Sequence, residues 1–144
     1  MVRQNNIKIK YIYIFLCNVL DFFYQIITYR KHIFITTGWG SLKFFGTLAQ
    51  QLMQAQVPIQ SNTTCRSAYP KLVDDSMVCA GPSQGGVDAC LGDSGGPLVC
   101  SYKNRWYLEG VVSWGDRCAV PGKYGVYAKL RYFSSWIRKT MKAN

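Results

Sequence analysis

The sequence predicts an all-β domain closed by a C-terminal helix, and three observations lead there. All 13 Gly and all 5 Pro lie beyond residue 37, so turn-forming residues punctuate the chain only from that point on. Between them stand short stretches with the alternation and residue types of strands. The last stretch changes period. Trp136, Ile137 and Met141 form an apolar stripe and Arg138, Lys139 and Lys142 a wet face, as on an amphipathic helix.

Residues 1–34 stand apart. Asn, Ile, Lys, Tyr and Phe supply 21 of these 34 positions. They share A/T-dominated codons, the composition of translated intron or misjoined sequence. Two readings compete with that one. Arg3, Lys8 and Lys10 ahead of apolar Tyr11–Leu20 have the layout of a signal peptide, although Asp21-Phe22-Phe23-Tyr24 follows where small residues should mark cleavage. Tyr11–Tyr29 is also near the shortest length that spans a bilayer, with Asn18, Asp21 and Gln25 costly in lipid. A membrane association is therefore not expected. The boundary is placed between Phe34 and Ile35.

Ile35-Thr36-Thr37-Gly38-Trp39-Gly40 reads as a strand, its glycines bracketing a Trp where segments approach closely. Leu48–Ile59 reads as a second strand with partial alternation. Ser61 or Asn62 then caps a short helix, and Asn62-Thr63-Thr64 is also a glycosylation triplet. Gly85-Gly86 mark a loop. Pro97–Tyr102 and Trp106–Trp114 are strands joined by a turn at Lys103-Asn104, and Lys123–Tyr127 is a further strand. Ser134 or Ser135 is expected to cap the final helix.

The totals bound the function. A chain of 144 residues is long enough for one domain with a core. The net charge of +10 points first to nucleic acid or acidic surfaces. The charges are dispersed, however, and no nucleic-acid motif accompanies them, so no nucleic-acid partner is expected. Six Cys in a short chain suit an oxidising compartment. With no Cys-x-x-Cys spacing and a single His, His32, no metal site is expected.

The chemistry concentrates in Asp88-Ala89-Cys90-Leu91-Gly92-Asp93-Ser94-Gly95-Gly96-Pro97. A serine hydroxyl is a poor nucleophile unless the backbone around it is shaped for the task. A tetrahedral oxyanion needs donors aimed at one point, and the N–H groups of Gly92 and Ser94 can supply two. Here the chain resembles the trypsin/chymotrypsin family of serine endopeptidases. Thr37-Gly38-Trp39-Gly40, Met77-Val78-Cys79-Ala80-Gly81 and Ser113-Trp114-Gly115 extend the resemblance across 35–144. It implies the second six-stranded antiparallel barrel of the two-barrel trypsin-like fold plus the terminal helix, with the first barrel missing.

The resemblance also implies roles. Ser94 is the nucleophile, with Gly92 and Ser94 as the oxyanion hole. Asp93 is the acid that pairs with a newly released N-terminal amine. Asp88 floors a primary pocket, Gly115 and Gly125 leave room for a long basic side chain, and Ser113-Trp114-Gly115 pairs with substrate as an added strand. Cleavage after Arg or Lys in peptide or protein substrates follows, in a secreted protein also open to protein inhibitors. Cys65 is expected to pair with Cys79 and Cys90 with Cys118. The family partner of Cys100 would fall at Phe34, which leaves Cys100 as a buried thiol or bridged to Cys17. No cofactor is implied beyond a sodium ion at the carbonyls of Val120 and Lys123, suggested by Tyr124. The family's catalytic His and Asp come from the first barrel, and the contexts of His32 and Asp21 are wrong for either. The chain by itself is therefore expected to be inactive, with Asp93 lacking its partner in a zymogen-like loop. Two other classes stay open: a non-catalytic binding module that uses the substrate groove, and a membrane-anchored interaction protein.

Overall fold

The computed structural model describes residues 33–102 and 105–143. Cys17, Asp21, His32 and the expected turn at Lys103-Asn104 lie outside the described residues. Six strands form one antiparallel sheet: β1 (Phe34–Gly38), β2 (Met53–Gln56), β3 (Met77–Ala80), β4 (Pro97–Tyr102), β5 (Arg105–Trp114) and β6 (Gly125–Lys129). Their order is β2-β1-β4-β5-β6-β3. Just past β2, Ile59 bridges to Ala80, and Gln60 N–H donates to the Cys79 carbonyl at 2.9 Å. That contact brings the first and last strands of the order together and closes the barrel. Helix α1 (Asn62–Ala68) lies between β2 and β3, and α2 (Leu130–Ala143) follows β6 directly.

The interior is filled by alternate residues of the strands, as the period-two geometry requires. Phe34, Ala55, Val57, Ala80, Leu98, Cys100 and Tyr127 form the inner core. A second cluster of Cys65, Tyr69, Cys79, Tyr124 and Val126 fastens α1 to the outside of β3 and β6. The two disulfides are Cys65–Cys79 and Cys90–Cys118, with Cα separations of 5.6 and 5.4 Å.

β1 takes in Phe34, one residue ahead of the boundary read from sequence. Phe34 stands in register with Cys100 across β1 and β4, and both side chains are buried. The Cys100 thiol approaches Glu109 Oε1 at 3.9 Å. The stretch 48–59 is not one strand. Leu48 and Ile59 make isolated bridges at its ends, and only Met53–Gln56 run in the ladder with β1. The reason lies in the loop before it, which folds back on itself: Leu42 N–H donates to the Thr47 carbonyl and Ala49 N–H to those of Trp39 and Gly40.

Ser61 is the cap of α1, its Oγ accepting from Thr64 N–H at 3.0 Å. The final helix does not begin at Ser134 or Ser135. It starts four residues earlier, at Leu130. Lys129 is still held in the sheet, paired with Gly110 and donating to the Ser76 carbonyl at 2.8 Å. The chain therefore turns into the helix directly off a fixed strand end, and both serines fall inside it. Ile137 and Phe133 are half-buried against the barrel, whereas Trp136 and Met141 stay exposed. Among the described residues, no helix is long and apolar enough to cross a membrane.

Candidate active site

The site is built from three segments that the barrel brings to one end. The first is the loop 88–96, which enters β4. Its backbone is wound tightly: Asp93 N–H donates to the Cys90 carbonyl at 2.9 Å and Gly96 N–H to the Asp93 carbonyl at 2.8 Å. Gly95 N–H reaches across to the Val112 carbonyl at 2.9 Å and so ties the loop to β5. Ser94 sits exposed at the top of this turn. Among the described residues, the N–H groups of Gly92 and Ser94 donate to no backbone acceptor.

Asp93 points the other way, into the molecule. Its Oδ1 accepts from Gly40 N–H at 2.7 Å and its Oδ2 from Cys90 N–H at 2.9 Å. The carboxylate lies so close to the Thr37–Gly40 strand end that a Cβ on Gly38 or Gly40 would collide with it. That close approach is the physical reason for both glycines flanking Trp39. Asp93 also lines a cavity of about 520 Å³ together with Thr36, Gln54 and Asp88. Among the described residues it has no cationic partner.

The second segment is the end of β5. The ladder with β4 stops at the Pro97–Val111 pair, extended by the Val112 N–H to the Gly96 carbonyl at 2.9 Å. Ser113, Trp114 and Gly115 lie beyond it. On that side their edge has no partner strand among the described residues, while the other side is laddered to β6.

The third segment, 115–125, folds over the first. Cys118 is bonded to Cys90, and Ala119 N–H donates to Asp88 Oδ2 at 3.2 Å. Arg117 and Ala119 on either side of Cys118 both hold left-handed backbone angles, φ 59° and 58°. Such angles are costly without glycine and persist where surroundings impose them. Here the disulfide and the Asp88 carboxylate do so.

Together the segments enclose a cleft of about 270 Å³. Ser94, Asp88, Ser113, Trp114, Gly115 and Gly125 all line it, so the residues expected to carry nucleophile, pocket floor and walls meet in one place. Asp88 Oδ1 accepts from Ala89 N–H at 2.8 Å and lies against Gly125, where any Cβ would strike it. Burial raises the Asp88 carboxyl from the usual 3.8 to about 6. The N–H groups of Ala119, Ala89 and Gly125 pull it back, and the charge of Asp93 adds a little to the rise. Behind it, burial first and the Asp88 charge second push the Tyr127 phenol well above the ordinary tyrosine range. Among the described residues, its hydroxyl on the cleft and that of Thr36 on the neighbouring cavity are buried without a hydrogen-bond partner of good geometry.

Two contributors had no sequence motif to announce them. Phe44, from the loop after Gly40, lines the cleft mouth. Tyr69, at the C-cap of α1, braces the wall. Its hydroxyl donates to the Tyr124 carbonyl at 2.7 Å and accepts from Tyr124 N–H at 3.1 Å and Asp116 N–H at 3.4 Å. Lys123 completes the brace, over the Tyr69 ring at 4.9 Å, with its Nζ 3.1 Å from the Ala68 carbonyl and 3.3 Å from Asp116 Oδ2. Val120 and Lys123 are the ends of one turn, closed by Lys123 N–H to the Val120 carbonyl at 3.1 Å. Tyr124 is buried behind that turn and does not line the cleft. No histidine is among the described residues.

A small closed barrel that carries an exposed serine beside a cleft lined by a buried carboxylate has the layout of a serine-protease barrel. The comparisons with known proteins give the family. A family model described as Trypsin matches residues 28–137. Transmembrane protease serine 11C of Mus musculus is 49% identical over 106 residues, 72% of this chain and 25% of that protein. Transmembrane protease serine 9 of Rattus norvegicus is 45% identical over 109 residues, 75% of this chain and 10% of that protein. The chain belongs to the trypsin family of serine proteases, and it spans about a quarter and a tenth of the lengths of these two relatives.

Proposed function

We propose that this chain is the nucleophile-bearing and specificity-bearing part of a secreted or cell-surface serine endopeptidase that cleaves after Arg or Lys. The observation that carries the reading is that Ser94 and Asp88 line one cleft. A substrate guanidinium or ammonium placed on Asp88 would bring the next carbonyl to Ser94. Charge-assisted contact with Asp88 offsets the cost of burying that carboxylate. The substrate backbone would add a strand along Ser113–Gly115, whose edge is open. Ser94 Oγ would then attack the carbonyl carbon, expelling the amine, with the oxyanion facing the N–H groups of Gly92 and Ser94. Water would release the acyl group. The general base and its orienting carboxylate would come from a partner barrel.

The two disulfides support an extracellular setting. In the same reading, protein inhibitors with Arg or Lys at the contact residue would occupy this cleft. Sodium would sit at the Val120 and Lys123 carbonyls. These are hard oxygen donors, and the Lys123 ammonium is committed to Ala68 and Asp116. Replacing sodium by choline in the assay tests that element.

The main test uses the full-length protein that carries this chain. It should label with a fluorophosphonate, lose the label in Ser94→Ala, and hydrolyse peptides with Arg or Lys before the scissile bond in preference to Phe. By comparison with nucleophile loss in subtilisin, Ser94→Ala should cost roughly 10⁶ in kcat. Labelling that survives Ser94→Ala, or indifference to the residue before the bond, would overturn the proposal. A protein that binds 4-aminobenzamidine but never labels would be a non-catalytic binding module instead.

A further inference from the structure

Asn62-Thr63-Thr64 is the one Asn-x-Ser/Thr triplet in the sequence, and its middle residue is not proline. The structure presents it openly. Ser61, Asn62 and Thr63 are all exposed, and Asn62 is the first residue of α1. An asparagine at a helix start commonly serves as the cap, but here Ser61 has that task. The Ser61 Oγ accepts from Thr64 N–H and lies 2.7 Å from Thr63 Oγ1 and 2.8 Å from Thr64 Oγ1. Among the described residues, the Asn62 amide has no hydrogen-bond partner. Neither cleft is lined by any residue of 61–68, so a bulky group on Asn62 would block neither the Asp88 cleft nor the Asp93 cavity.

We infer that Asn62 is the acceptor of an N-linked oligosaccharide. The inference rests on the extracellular reading above, because transfer occurs in the compartment where Cys65, three residues on, also forms its disulfide. The donor is an oligosaccharide joined through a pyrophosphate to a lipid carrier. The Asn62 Nδ2 attacks the anomeric carbon and a C–N bond forms. The C–O bond to pyrophosphate breaks, the lipid pyrophosphate leaves with the electron pair, and the amide proton passes to a base. No oxidant or reductant is needed.

The test expresses the full-length protein through the secretory route of a eukaryotic cell and treats it with a peptide N-glycosidase. The expected result is an aspartate left at position 62 in the peptide spectrum after treatment. Asn62→Gln and Thr64→Ala should each abolish that conversion and shrink the mobility shift by one oligosaccharide. Thr64→Ser, which keeps a hydroxyl at the third position, should retain both. A protein in which the Cys65–Cys79 peptide is disulfide-linked while the Asn62 peptide is unmodified would overturn this inference and leave the extracellular reading standing. A protein with neither disulfide nor sugar would overturn both.

Discussion

Asp88 is where single-residue chemistry is most exposed to test. Its carboxyl titrates near 6 in the fold against 3.8 in an unfolded chain, because burial disfavours the charged form. Between those two values the folded state holds more protons than the unfolded state, so stability falls as pH rises from about 4 to about 6 and stays lower above that. The loss is on the order of 3 kcal/mol, since each tenfold change in proton affinity is worth about 1.4 kcal/mol. Asp88→Asn should remove this slope in chemical denaturation at pH 4 and pH 7, and at neutral pH it should be more stable than the parent. A cationic probe wants the opposite charge state. The affinity of 4-aminobenzamidine should be flat above about pH 6 and weaken by up to tenfold per pH unit below it. Asp88→Asn should lose binding altogether, and fluorescence titration reads both. Gly40 tests the neighbouring carboxylate. Gly40→Ala drives a methyl into Asp93 and should cost about 1–3 kcal/mol in thermal unfolding, with fluorophosphonate labelling lost along with the shape of the loop.

Between elements, the cleft depends on how α1 and β1 are fastened. Tyr69 ties α1 to the pocket wall through one buried hydroxyl with three partners. Tyr69→Phe leaves the Tyr124 and Asp116 backbone groups short of a partner and should cost about 1–3 kcal/mol. Because the Asp116–Tyr124 wall is what loosens, affinity for 4-aminobenzamidine should fall along with the melting temperature. Removing the Cys65–Cys79 disulfide should cost about 2–4 kcal/mol, seen as a lower denaturant midpoint. Phe34 is the corresponding test on the other side of the barrel. It is buried opposite Cys100, and Phe34→Ala should cost about 3–5 kcal/mol by opening a cavity in the inner core.

Across the whole molecule, apolar side chains gather outside the core. Trp39, Leu42, Phe45, Leu48 and Leu52 project from the loop after β1, and Tyr132 and Trp136 from α2. Trp136 is 66% exposed and lies one helical turn from Tyr132, so α2 offers an aromatic strip that the barrel does not cover. Uncovered apolar surface of this kind drives association. The 144-residue chain, purified by itself, should therefore sediment with concentration-dependent mass, and Trp136→Glu should reduce that dependence.

Much of this was legible in the residues. Ser94 with its glycines and the 97–102 and 106–114 strands were readable from local motifs, and the pairings of Cys65 with Cys79 and Cys90 with Cys118 from the family resemblance alone. The motifs and strands are local: a motif's residues are neighbours in the chain, and the alternation of a strand needs no partner to be seen. What only the tertiary structure decided depends on contacts between distant segments. The loop after β1 broke the expected 48–59 strand by folding onto Trp39 and Gly40. The sheet, not a capping serine, set the start of α2 at Leu130. Phe34 joined the core because β4 lay beside it. Tyr69 reached the pocket wall 55 residues away, carrying no signal of its own. The charge state of Asp88 belongs to the same group, since a carboxylate's pKa is set by the burial that only packing supplies.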